Sequence, residues 1–114
     1  MLESEPRIVV AYGSGVLAGA VQRRLANCAD VELVPARDTP RRLRRRKGCD
    51  AVLVDPFLTE LERRRVRDAV ASVPRPPVLV LIRNAAGQVA ADVDDFGDDG
   101  RARALEPVFA ALTR

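Results

Sequence analysis

The apolar runs in this chain do not alternate, and that limits its architecture more than any other property of the sequence. Ala51, Val52, Leu53 and Val54 follow one another without a polar residue, as do Val78, Leu79, Val80, Leu81 and Ile82, and Ile8, Val9 and Val10 form a shorter third run. A strand with one wet face alternates apolar and polar side chains; an unbroken run rich in β-branched residues suits a strand covered on both faces. Gly48 stands before the central run and Asp55-Pro56 after it. That run is the hub of the chain. It delivers one carboxylate, Asp55, to its C-terminal end, where open α/β sheets place their ligands and chemistry.

Segments of helical periodicity separate the runs. Residues 7–11 form a first strand that enters Tyr12-Gly13-Ser14-Gly15, a strand-to-helix turn in which Ser14 can cap a helix. Leu17, Val21, Leu25 and Cys28 recur along that helix, Asp30 ends it, and residues 31–34 give a second short strand. Thr39-Pro40 reads as a cap followed by proline at the first helical position, and Gly48 as a C-cap, which predicts a short helix over 40–47. Leu43 is its one clear anchor, with Arg41, Arg42, Arg44, Arg45, Arg46 and Lys47 covering every other direction, so shallow packing is expected.

Thr59-Glu60-Leu61-Glu62 has capping-box spacing, and Val66, Ala69, Val70 and Val73 continue it as the stripe of a third helix, stopped by Pro74-Arg75-Pro76-Pro77. After the fourth strand, residues 78–82, two readings stay open. Residues 83–88 can turn, with Val89, Ala91 and Val93 alternating as in an exposed edge strand, or residues 85–95 can form a short helix. Leu105, Val108, Phe109 and Leu112 mark a last amphipathic helix, in which Pro107 demands either a late start or a kink. Strands alternating with helices predict one domain with a mostly parallel sheet and helices on both faces.

Composition removes several function classes. The 114 residues contain no histidine and only Cys28 and Cys49, far apart and each within an apolar pattern, so neither a zinc site nor a histidine-dependent triad can be assembled. Both thiols read as buried and free. No apolar run approaches the ~20 residues that span a bilayer, and the N-terminus has neither the basic start nor the apolar core of a signal peptide, so a cytoplasmic protein without membrane contact is expected. The net charge is only +3, but it is segregated: seven basic residues against Asp38 alone lie between Arg37 and Lys47, whereas Asp92, Asp94, Asp95, Asp98 and Asp99 form an acidic stretch with no base among them. Such poles favour one oriented contact over general affinity for nucleic acid.

In layout the chain resembles the receiver domains of bacterial response regulators over nearly its whole length. Arg7-Ile8-Val9-Val10-Ala11 followed by residues 15–21 looks like the first strand and helix, Asp50-Ala51-Val52-Leu53-Val54-Asp55 like the phosphoacceptor strand, and Pro77-Val78-Leu79-Val80-Leu81-Ile82 like the fourth. The resemblance implies an α/β, three-layer, flavodoxin-like sheet of order 2-1-3-4-5, here with room for an antiparallel or irregular last strand. It also places Asp55 where the family accepts a phosphoryl group. The rest of that family's site departs. Tyr12 and Gly13 stand where two acids hold Mg²⁺, Ile82 stands where a hydroxyl residue is expected, and no lysine follows the hub strand. Phosphoryl transfer rests on positioning and charge neutralisation, so the resemblance implies a degenerate receiver that does not transfer phosphate.

The turn Gly13-Ser14-Gly15-Val16-Leu17-Ala18-Gly19, with Ala36-Arg37-Asp38 after the second strand, is similar to a dinucleotide-binding turn of the short-chain dehydrogenase kind. Its glycine spacing departs from that family's, and the other reading is a tight turn with close helix packing. A third reading, binding of nucleic-acid phosphates by the basic helix, lacks a helix-turn-helix signature.

The sequence thus favours a non-enzymatic regulatory module without cofactor or metal. It is expected to act through a protein partner and as a homodimer, and to reach DNA only through a separate effector domain or partner. Its candidate residues are Asp55 at the phosphoacceptor position, the turn Tyr12, Gly13, Ser14 and Gly15, and a charged surface formed by Arg41, Arg42, Arg44, Arg45, Arg46, Asp94 and Asp95. If the third and fourth strands are neighbours, Arg83 leaves them at the same end as Asp55 and can pair with it. The competing reading has Asp55 cap the turn at Pro56 while Arg83 faces solvent.

Overall fold

The computed structural model describes residues 5–13, 15–45, 48–85, 88–94 and 105–113. Strand β1 spans Arg7–Tyr12, β2 Asp30–Pro35, β3 Ala51–Val54, β4 Val78–Ala85 and β5 Gln88–Asp94. The helices are α1 at Gly15–Leu25, α2 at Thr39–Leu43, α3 at Glu60–Ala71 and α4 at Glu106–Thr113, with a 3₁₀ turn at Ala36–Asp38. The strands form one sheet of order β2-β1-β3-β4-β5. The first four are parallel, in the order of flavodoxin-like doubly wound sheets, and β5 returns antiparallel to β4.

The two faces of the sheet explain the runs that do not alternate. Ile8, Val10, Ala51, Leu53, Val78, Val80 and Ile82 point to one face, where Val21 and Leu25 of α1 meet Val108 and Leu112 of α4. Their neighbours Val9, Ala11, Val52, Val54 and Leu79 point to the other, beneath Leu43 of α2 and Val66 and Val70 of α3. Every residue of β3 is therefore buried whichever way it points, and each Val or Leu so buried contributes roughly 1.5–3 kcal/mol.

Several local expectations are corrected. Helix α1 ends at Leu25, where the amides of Cys28 and Ala29 both turn back to the Leu25 carbonyl, so Cys28 lies in a turn beyond the helix. The second helix occupies Thr39–Leu43 and not 40–47. Thr39 does not cap it. The N-cap is Asp38, and the Thr39 hydroxyl, fully buried, donates to the Pro35 carbonyl at 3.1 Å. Arg44 takes the C-cap position expected of Gly48, and Arg46 and Lys47 lie outside the described residues.

The capping box of α3 is formed in both directions: the Thr59 amide donates to Glu62 Oε1 at 2.9 Å, and the Glu62 amide donates to Thr59 Oγ1 at 3.1 Å. Val73, expected within that helix's stripe, lies beyond its end. Of the two readings open to residues 85–95, the strand holds. Strand β4 continues to Ala85 and pairs with β5 from Ala85↔Gln88 down to Leu79↔Asp94. Pro107 is the second residue of α4, a position whose amide needs no partner inside the helix, so the helix starts late and is not kinked.

Candidate functional site

Asp55 is the first residue beyond β3. Val54 is in register with Ala11 on one side and Leu81 on the other, so β3 ends within a residue of β1 while β4 runs on to Ala85, and the Asp55 side chain emerges beside the β1–α1 turn. Its amide closes the ladder by donating to the Ala11 carbonyl at 3.1 Å, and its carbonyl accepts the Leu58 amide at 3.2 Å.

The carboxylate is 1% exposed and joins two turns. Oδ1 accepts the amide of Phe57 at 2.9 Å, an Asx turn that fixes the chain leaving β3. Oδ2 accepts the amide of Gly13 at 3.0 Å, across from β1. Both amides lie past the ends of their strands, outside the sheet ladder, and at this half-buried place each gains an acceptor. A single carboxylate has enough lone pairs for both. Gly13 completes the arrangement through space, not through a left-handed backbone: a Cβ there would stand 3.1 Å from Leu58 Cδ2.

These residues do not fit the divalent cation that the receiver resemblance implies. Tyr12 is half-buried against the core beneath α1 and α4, Gly13 has no side chain, and each Asp55 oxygen already accepts an amide, whereas Mg²⁺ requires oxygen ligands in near-octahedral array. Among the described residues no group of three His, Cys, Asp or Glu stands close enough to hold a metal ion. The turn fits a pyrophosphate no better at Gly13, whose amide is committed to Asp55. Gly15 has open space where a Cβ would go, and at Gly19 a Cβ would meet only the Arg23 guanidinium of the same helix at an ordinary 3.7 Å, so neither serves the close helix packing expected of them. Ser14 lies outside the described residues.

The remaining candidates separate. Arg83 continues β4 one residue beyond Ile82; its side chain, and with it the pairing to Asp55, lies outside the described residues. Arg41, Arg44 and Arg45 are exposed, and the last two lie towards the amino end of the sheet, opposite to Asp55. Arg42 is a correction. It is 8% exposed, and its Nε donates to both carboxylate oxygens of Glu32, at 3.0 and 2.9 Å, so it is no part of a docking surface. Asp94 ends β5 with its side chain outside the described residues, as is all of Asp95 and Arg46.

Three features escaped the sequence reading. One is the Glu32 partner of Arg42, although Glu32 lies two residues from the buried Val34 and so shares the α2 face of its strand, which was the available signal. Another is that α3 presents Arg63, Arg64, Arg65 and Arg67 to solvent, Arg65 towards the end of α2 and the other three over β4; the inward stripe of Val66 and Val70 already implied it. The last is an exposed apolar pair, Phe57 at 65% and Leu61 at 54%, close to Asp55. No helix among the described residues is long and apolar enough to cross a membrane. Compared with known proteins, the chain matches no family, no curated protein and no solved structure.

Proposed function

We propose that this chain is a regulatory module that acts by contact with protein partners and independently of phosphoryl transfer, a degenerate relative of receiver domains. The observation that carries the reading is the commitment of Asp55: both its oxygens accept backbone amides and 1% of the residue meets solvent. In a phosphoacceptor the carboxylate must reach the incoming phosphorus, with cations near to neutralise the oxygens around it. Here the same position works as a clamp between the turns after β1 and β3. The strand order supports kinship in layout; the antiparallel β5 departs from a fully parallel sheet.

Incubation with acetyl phosphate and Mg²⁺, followed by intact mass against an Asp55→Asn control, tests the proposal. No gain in mass is expected. An Asp55-dependent gain of one phosphoryl group would overturn it.

The partner surface follows from charge. Arg41, Arg44 and Arg45 stand exposed on the β2 side of the sheet, with Arg65 of α3 close to the last two, while the acidic stretch begins on β5 at the opposite edge. We propose that two copies associate through these poles. Exposed pairs contribute at most ~1 kcal/mol each and are screened beyond ~8 Å at physiological salt. Sedimentation should therefore show a dimer at low ionic strength that dissociates as salt rises, and a monomer under both conditions would exclude this association.

A further inference from the structure

Helices α2 and α3 leave between them a cavity of about 840 Å³ at the amino end of the sheet, remote from Asp55. Its size falls within the range of sites for small molecules, roughly 300–1,000 Å³. The floor is apolar: Leu43 from α2, Cys49 from the segment entering β3, and Ala69 and Val73 from α3 and the turn after it. Arginines from three separate elements reach the lining, Arg44 and Arg45 at the end of α2, Arg65 on α3, and Arg75 on the segment entering β4. Asp68 is the one acid among the described lining residues.

This differs from a solvated basic face. Like charges on one helix spread apart into water, whereas these four cations converge from different directions on a concave apolar surface. Both helices also end here, and the partial negative charge of their last carbonyls would oppose an anion. Several of those carbonyls are occupied. The Ser72 amide and hydroxyl cover Asp68 and Ala69, the Val73 amide covers Val70, and the amides of Arg44 and Arg45 turn back to Arg41 and Arg42.

We infer that the α2/α3 cavity binds a small organic anion, a phosphate group carried on an apolar ring or short chain. The apolar part fills the floor and the phosphate meets the arginines, whose planar forks suit phosphate oxygens. The inference stands apart from the receiver-like reading and survives if Asp55 proves phosphorylatable.

The probe is 1-naphthyl phosphate, titrated into the full chain by calorimetry and by ¹⁵N-resolved NMR, with 1-naphthol and inorganic phosphate as half-ligands. Saturable binding is expected, with amide shifts at Cys49, Ala69 and Val73, and affinity at least about tenfold above either half-ligand, the size of one charge-assisted contact. The double variant R44E/R65E should weaken it by about tenfold or more while melting normally, since both side chains are exposed. Ala69→Phe, which fills the floor and keeps every arginine, should abolish it. Absence of saturable binding, affinity equal to that of inorganic phosphate, or indifference to both variants would overturn the inference. A synthetic peptide of residues 91–100 is the last arm: if it shifts the same amides while 1-naphthyl phosphate does not, the cavity takes an acidic protein segment and the small-ligand assignment is wrong.

Discussion

Where α1 and α4 cover the sheet the packing is closed, with Val21, Leu25, Val108 and Leu112 each at most 1% exposed; where α2 and α3 cover the other face, a large cavity remains. Helix length accounts for much of the difference. Eleven residues of α1 reach about 16 Å along its axis and span most of a six-residue strand, while the five residues of α2 reach only about 7–8 Å. The short helix anchors one end of its face, through Leu43, Thr39 and the buried stem of Arg42, and leaves the amino end open. One sheet thus carries a closed core on one face and, on the other, the cavity proposed as a site.

Truncating one leucine on each face should break or sharpen that contrast most. Leu25→Ala, in the closed face, is expected to cost about 3–4 kcal/mol in urea unfolding, because the hole it leaves cannot be filled by solvent. Leu43→Ala lines an existing opening and should cost only about 1–2 kcal/mol. Equal losses would mean that the α2/α3 face is as tightly closed as the other.

Asp55 tests whether the clamp at the carboxyl end matters to the closed and open faces alike. Asp55→Ala strands two amides and should lose about 3 kcal/mol, while Asp55→Asn keeps one acceptor oxygen and should lose about half of that. If Asp55→Ala melts like the parent, the carboxylate is not the tie between the two turns. The smallest effect is expected at the arginines. A double-mutant cycle on Arg42 and Glu32 should return about 1 kcal/mol and change little with salt, whereas the exposed Arg64–Glu60 pair, 3.7 Å apart, should return about 0.3 kcal/mol or less and vanish at high salt. Equal coupling for the two pairs would show that Arg42 is as wet as Arg64.

Much of the fold was legible because its signals are local. The runs at β1, β3 and β4 needed only burial on both faces, and the α3 start needed only Thr59 and Glu62 three residues apart. Chain alternation gave a mostly parallel sheet, while its order came only with the receiver resemblance. What stayed hidden depended on distant partners: Arg42 looked like its five basic neighbours until Glu32 was placed under it, and Thr39 looked like a cap until the 3₁₀ turn moved the helix start back by one residue. At the site, Asp55 and the turn at Gly13 were each visible, but not their contact, which joins residues 42 apart in sequence through a backbone amide that no residue type announces. The cavity was equally silent. Its floor and its arginines come from segments that only the sheet brings together.

The reversal of the last strand bears on how the chain reaches this structure. Ala85 and Gln88 pair across the shortest of separations, so β4 and β5 zip locally, on the microsecond scale of hairpins. Ile8 and Ala51, by contrast, meet only after 43 residues of chain have been drawn into a loop, and β3 meets β4 only across α3. Loop closure must be completed before those contacts repay it, which places the kinetic bottleneck at the centre of the sheet and leaves its β5 edge free to form early, with the hub strand as the late keystone.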